Sequence, residues 1–284
     1  MIVVPASTST ALADKIVKSG GYEKAEVESK AFPDGELYVR IKTDLAGKDA
    51  LVVCSTTHSA SIIELLLLLE AARELGAKSI NCLLPYFGYA RQHKKYNDGE
   101  PVSSRAITRA LEHSCDTLMT VDIHDEQTLG YSSKPFTNIR IEKPISDYFS
   151  KKQIDYVFAP DDGGAVKAES VAKLLGVEGK HMEKKRIDSN TVEMELPEAH
   201  LQGKNVLLVD DMISSGGTII KANKLLRDSG VKKVYVCAVH GLFANGADAR
   251  IAAAVDELVV TDTVQSSLSK ISVAGSVVSF LKHH

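Results

Sequence analysis

The chain has 284 residues, 44% hydrophobic and 25% charged, a composition that suits two globular domains and excludes long disorder. Its 34 Lys and Arg stand against 37 Asp and Glu, it has no Trp, and 6% of its residues are aromatic. That balance excludes a general electrostatic binder of nucleic acid and disfavours a base-stacking platform.

In chain order, short β-branched runs predict strands at Ile2–Val4, Ala50–Ser55, Ser79–Leu84, Thr117–Asp122, Tyr156–Ala159, Asn205–Val209, Lys233–Val239 and Glu257–Val260. Helical patterns lie between them, at Ser59–Leu75, Ser103–His113, Gly164–Leu175, Gly217–Ser229 and Ala247–Ala254. Gly76 follows the first as a C-terminal stop. Strands that read as continuous apolar runs, alternating with helices, predict mostly parallel sheets covered on both faces. Each half ends strands in acid-bearing turns, which suggests two similar domains, 1–145 and 146–284, meeting near Ile141-Glu-Lys-Pro-Ile-Ser146. No run reaches the roughly 18 apolar residues of a membrane helix. The start, Met-Ile-Val-Val-Pro, has no basic region or cleavage site, so a cytoplasmic protein is expected. Cys54, Cys82, Cys115 and Cys237 form no C-x-x-C pair and read as reduced thiols.

Ligands of open parallel sheets bind at the carboxyl ends of strands. The strongest signal lies there: Val206-Leu-Leu-Val-Asp-Asp-Met-Ile-Ser-Ser-Gly-Gly-Thr218. A buried strand runs into two carboxylates, a small polar loop and a helix. Gly216 and Gly217 allow close backbone approach, Ser214, Ser215 and Thr218 supply hydroxyls, and a helix N-terminus suits a phosphate. Asp210 and Asp211 repel a bare phosphate but accept from sugar hydroxyls or act through a metal. The segment reads as a phosphosugar site. It is no Walker A loop, since Gly-Lys-Ser/Thr is missing.

Other segments are less specific alone. Phe32-Pro-Asp-Gly-Glu-Leu-Tyr-Val-Arg40 reads as a turn at Pro33–Gly35 leading into a strand at Leu37–Ile41. Phe32, Asp34 and Glu36 at its tip could cover a base, or the segment is a plain hairpin. In Pro85-Tyr-Phe-Gly-Tyr-Ala-Arg-Gln-His-Lys-Lys-Tyr96, positive charge beside aromatics fits a nucleotide polyphosphate, or is a solvated charge run. His124, between acids at the end of Val121-Asp-Ile-His-Asp125, is a candidate Mg²⁺ position, partly through water, or a structural histidine. Ala159-Pro-Asp-Asp-Gly-Gly-Ala165 repeats the strand, acid, double-glycine, helix order, with Asp161 the better ligand and Asp162 solvated. Glu183-Lys-Lys-Arg-Ile-Asp-Ser-Asn190, before Thr191-Val-Glu-Met-Glu195, reads as a projecting basic hairpin that could close over phosphates, or is simply exposed.

Together and in this order, F-P-D-G-E, Y-A-R-Q, D-I-H, P-D-x-G-G, K-x-R and V-D-D-M-I-S-S-G-G-T resemble the ribose-phosphate diphosphokinase family over nearly the whole chain. The last motif alone is shared with type I phosphoribosyltransferases. The resemblance implies two tandem phosphoribosyltransferase-like α/β domains, each a mostly parallel sheet flanked by helices. It implies transfer of the diphosphoryl group of ATP to the 1-hydroxyl of ribose 5-phosphate, with Mg²⁺. By resemblance Phe32, Asp34 and Glu36 approach adenine, as residues of a neighbouring subunit. Arg91, Gln92 and His93 contact ATP, while His124 and Asp161 are the Mg²⁺-associated positions. Lys184 and Arg186 are the catalytic pair on a mobile flap, and Asp210, Asp211, Ser214, Ser215, Gly216, Gly217 and Thr218 hold ribose 5-phosphate. The expected partners are these two substrates and further copies of the chain, as a homodimer or larger homo-oligomer, with no nucleic acid and no membrane. Ser214, where many bacterial and animal members carry an acid, and the short length resemble the archaeal branch. A type I phosphoribosyltransferase and a non-catalytic regulatory subunit are the alternatives.

Overall fold

The structure is a computed structural model that describes residues 1–186 and 192–283. The chain forms two compact units. The first runs from Met1 to Arg140 and takes in Thr263–Gln265 and the C-terminal residues from Ser272. The second comprises Ile141–Asp262 and Ser266–Ile271. A single cut near residue 145 therefore leaves out the return of the C-terminal helix to the first unit.

The first unit contains β1 (Ile2–Pro5), α1 (Thr10–Gly20), β2 (Glu23–Lys24), β3 (Val27–Ala31), β4 (Leu37–Ile41), β5 (Asp49–Val53), α2 (Ser59–Glu74), β6 (Ser79–Leu84), α3 (Ser103–Glu112), β7 (Thr117–Val121) and β8 (Phe136–Ile139). Its main sheet has the order β2-β1-β5-β6-β7-β8, and every pair in it is parallel. The central strands β1, β5, β6 and β7 are largely buried, covered on both faces, which is why Val, Ile and Leu recur along them. Helix α2 shows the local logic. Ile62, Leu65, Leu69 and Ala72 recur at helical spacing and are buried. The chain turns out at Gly76, whose φ of +71° is left-handed, and the Gly76 and Ala77 N–H groups donate to the carbonyls of Arg73 and Ala72. This face packs with Val4, Val52, Cys54, Cys82 and Leu84 in one core. Strands β3 and β4 pair antiparallel as a separate hairpin.

The second unit contains α4 (Glu142–Phe149), β9 (Tyr156–Ala159), α5 (Ala165–Leu175), β10 (Glu178–His181), β11 (Glu183–Arg186), β12 (Val192–Glu195), β13 (Asn205–Ile213), α6 (Gly217–Asp228), β14 (Lys233–Gly241), α7 (Ala247–Ala254), β15 (Glu257–Thr261) and β16 (Ser269–Ile271). The last helix, α8 (Ala274–His283), packs on α1 in the first unit. The sheet order is β10-β9-β13-β14-β15-β16, again parallel, with β11 and β12 as an antiparallel hairpin. Taken element by element, this is the first unit's order repeated, hairpin included. Helix α4 occupies the stretch expected to hold the boundary.

One boundary differs in a way that matters. The strand expected to stop at Val209 continues to Ile213 and pairs with β14 through Met212↔His240 and Ile213↔Gly241. Asp210 and Asp211 are strand residues rather than turn residues. Ladder hydrogen bonding to the long β14 outweighs the low strand propensity of two aspartates.

Candidate active site

In the second unit, the chain leaves β9 toward β10 on one side and β13 toward β14 on the other. Adjacent strands β9 and β13 thus flank a topological switch point, where open α/β sheets bind ligands. Asp161 stands just past the end of β9 in extended conformation, and Asp210 and Asp211 on β13. Asp210 is held well above the ordinary carboxylate range, first by burial, then by the charges of Asp211 and Asp161. The Asp211 N–H donates to Asp210 Oδ1 at 2.9 Å, which offsets only part of this. A tandem carboxylate pair within the electrostatic reach of a third suits acceptance from sugar hydroxyls.

Beyond β13 the chain reaches Gly216, whose φ of +76° places it in the left-handed region before α6. A Cβ there would lie 2.7 Å from Ile251 Cδ1 and 3.3 Å from Ala247 Cβ, so only glycine fits. The N-cap residue of α6 is Gly216, which brings no side chain of its own to the first turn, and a helix N-terminus suits an anion. Gly164 plays the packing role after β9, where a Cβ would meet Ala159 Cβ at 2.9 Å. Asp162 is exposed and pairs with His181 at 3.3 Å, in keeping with a solvated role.

In the first unit, residues 85–93 and 122–125 leave adjacent strands β6 and β7. Gly88 passes so close to β5's exit that a Cβ would stand 2.1 Å from the Thr56 carbonyl oxygen. Tyr89 adopts φ +66°, and its hydroxyl lies 2.8 Å from Ser59 Oγ. Arg91, Lys94 and Lys95 are exposed, whereas His93 is buried. The Ser103 hydroxyl donates to Gln92 Oε1, and the Tyr131 hydroxyl to the His93 carbonyl at 2.5 Å. His93 Nε2 lies 3.2 Å from Asp125 Oδ2, and the rings of His93 and His124 are 6.3 Å apart. Asp122 has φ +43°, and its Oδ1 lies 3.4 Å from Arg140 Nε. The Ile123 N–H donates to Asn138 Oδ1 at 3.0 Å. Arg140 and Asn138, which brace this exit, were missed in the sequence because they come from β8 and its end, a strand without a clear apolar run.

At the β3–β4 tip, Phe32, Asp34 and Glu36 are all exposed. The Glu36 N–H donates to Asp34 Oδ1 at 3.1 Å, and Phe32 meets Tyr38 edge to face at 6.2 Å. Lys184 and Arg186 lie on β11, in register with Met194 and Val192 of β12. The turn expected at 187–191 lies outside the described residues, as do the side chains of Lys184 and Arg186. The structure thus groups Arg91–His93 with His124 in the first unit, and Asp161 with Asp210, Asp211 and the loop to Thr218 in the second. Among the described residues no three His, Cys, Asp or Glu side chains are set to cage a metal.

Two family profiles cover most of the chain. That for the N-terminal domain of ribose phosphate pyrophosphokinase matches residues 1–114, and that for the phosphoribosyl transferase domain matches 135–268. The ribose-phosphate pyrophosphokinase of Thermoplasma acidophilum is 46% identical over 273 residues, 96% of each chain. The chain belongs to the ribose-phosphate pyrophosphokinase family. The Thermococcus kodakarensis member is 45% identical over 260 residues, covering 90% of this chain and 92% of that one. The crystal structure of the Mycobacterium smegmatis phosphoribosylpyrophosphate synthetase superposes with a TM-score of 0.87 at 28% identity, covering 99% of this chain and 97% of that one. The tandem phosphoribosyltransferase-type architecture is therefore the fold of a ribose-phosphate pyrophosphokinase, with a hairpin in each unit.

Proposed function

We propose that the protein transfers the β,γ-diphosphoryl group of ATP to ribose 5-phosphate, giving 5-phosphoribosyl 1-diphosphate and AMP for nucleotide synthesis in the cytoplasm. The observation that carries this reading is the second unit's strand-end cluster: Asp161, Asp210 and Asp211 beside a helix N-terminus entered through Gly216. Carboxylates accept hydrogen bonds from the ribose hydroxyls, and the Ser214–Thr218 loop receives the 5-phosphate. Arg91, Gln92 and His93 take the phosphates of ATP, and Phe32, Asp34 and Glu36 the adenine, from a neighbouring copy in a homodimer or larger assembly.

The 1-hydroxyl oxygen, giving up its proton to solvent, attacks the β-phosphorus in line. The bond from that phosphorus to the α,β-bridging oxygen breaks, and AMP leaves with the electron pair. Little covalent chemistry falls to the protein, so positioning and charge neutralisation carry the rate. Lys184 and Arg186 neutralise charge on the transferring group. Mg²⁺, a hard cation that takes oxygen ligands, fits the carboxylates of the second unit: His124 and Asp161 are the proposed positions, and Asp210 and Asp211 lie near the second. When bound, it neutralises the phosphates of ATP.

The deciding assay mixes protein, Mg²⁺, ATP and ribose 5-phosphate and separates the nucleotides. AMP formed one for one with phosphoribosyl diphosphate is the expected result. ADP would mean a simple kinase. Base-dependent loss of added phosphoribosyl diphosphate, without ATP turnover, would mean a transferase. No turnover in either assay would point to the regulatory subunit.

A further inference from the structure

Arg250, on α7, stands outside every motif that points to the reaction. Its Nη2 donates to the carbonyl oxygen of Ser215 at 2.8 Å, and its Nη1 to the carbonyl of Asn245. The guanidinium thus bridges the turn before α6 to the turn before α7. The second turn is a costly one: Phe243, Asn245 and Gly246 have φ of +47°, +55° and +66°. The two turns are joined again upstream, where the Leu242 and Phe243 N–H groups both donate to the Ile213 carbonyl, at 2.9 and 3.1 Å.

These bonds fix peptide orientation. In a planar trans peptide the C=O and the following N–H point in opposite directions. The Ile213 and Ser215 carbonyls are drawn toward the α7 turn, so the N–H groups of Ser214 and Gly216 turn away from it. We infer that Arg250 is a positioning residue for the ribose 5-phosphate loop: its fork holds the Ser215 carbonyl so that the loop's N–H groups converge on the 5-phosphate. The inference rests on the reading of residues 214–218 as the phosphate loop. Arg250 is exposed on the surface and touches backbone carbonyls. Its planar fork reaches two carbonyls at once, which the single ammonium of lysine does not reproduce.

The test compares Arg250→Met, which keeps much of the stem, and Arg250→Lys, which keeps the charge, with Gly216→Ala as the loop control. Calorimetric titration with ribose 5-phosphate alone, KM for each substrate, kcat and thermal melts are measured for each. For Arg250→Met the expected result is a dissociation constant and KM for ribose 5-phosphate raised about tenfold, the loss of one charge-assisted hydrogen bond. KM for ATP and the melting temperature stay near wild type, and Arg250→Lys recovers less than half of the loss. Full recovery by lysine would reduce Arg250 to a source of charge and overturn the inference. So would equal losses for both substrates together with a lowered melting temperature, the mark of a merely structural contact. If Gly216→Ala loses ribose 5-phosphate while Arg250→Met binds it normally, the positioning role fails and the loop assignment stands. If Gly216→Ala folds and binds it normally, the loop assignment itself fails, and the inference with it.

Discussion

His93 and Asp125 join across the surface: Nε2 of the enclosed imidazole lies 3.2 Å from Oδ2 of a half-buried carboxylate. The partners come from the exits of two adjacent strands, β6 and β7. The ring's other nitrogen, Nδ1, is buried without a hydrogen-bond partner. A carboxylate on one nitrogen fixes which way the other faces. Asp125→Ala is therefore expected to raise KM for ATP about tenfold with kcat changed less, and Asp125→Asn to fall in between. Steady-state kinetics at saturating ribose 5-phosphate reads the difference, and equal KM values in all three proteins would remove Asp125 from the ATP side.

Asp210 sits where burial and two neighbouring carboxylates oppose its charge. Asp210→Asn is expected to cut kcat/KM by at least ~100-fold, because a strong charged acceptor for the sugar is lost. The same change is expected to raise the melting temperature of the ligand-free protein at pH 7, since a source of repulsion goes. Activity assays and calorimetry on one preparation check both. A variant less stable than wild type would show that the carboxylate is compensated within the free protein.

For the basic hairpin, Lys184→Ala is expected to lower kcat at least ~100-fold, as electrostatic stabilisers of a transition state usually do. Binding of each substrate alone is expected to change much less. Near-normal turnover would contradict the catalytic role given to the hairpin.

A structural carboxylate supplies the pH dependence. Burial works against ionisation of Asp256, yet the Val234 N–H at 2.8 Å and Arg227 Nη2 at 2.6 Å hold its pKa below the ordinary 3.8. A carboxylate with a lowered folded pKa contributes stability that is present above its unfolded value and is lost as pH falls through the folded one. Asp256→Asn is thus expected to cost about 1 kcal/mol at pH 7, a modest figure because the pair is part-exposed. The gap from wild type is expected to narrow below pH 3.8, which denaturant melts across pH would display.

Much of the architecture was legible from residue order alone. Apolar runs such as Val206–Val209 and Ser79–Leu84 are strands because a doubly covered parallel strand must be apolar throughout. The acid-and-glycine segments after them mark candidate ligand positions because a helix N-terminus beside small residues is a local property, written within a dozen residues. Local chemistry was thus enough for the family and for the candidate residues Asp161, Asp210 and Gly216. Other elements were not read from the sequence: α1, α4, α8 and β8, whose places are decided by what they pack against.

The tertiary structure decided everything that depends on distant partners. Asp210 and Asp211 belong to a strand because β14, more than twenty residues later, is long enough to pair with them. Gly216 is held at a left-handed φ of +76°, with Ile251 and Ala247 of α7 packed close over it. Arg250 reaches the Ser215 carbonyl across 35 residues of sequence, and His93 reaches Asp125 only because β6 and β7 are neighbours. Sequence encodes which groups can bind a sugar phosphate or an ATP, since that follows from side-chain chemistry and local backbone. Which groups orient them is settled by packing, because hydrogen bonds and steric contacts act over a few ångströms of space, whatever the separation along the chain.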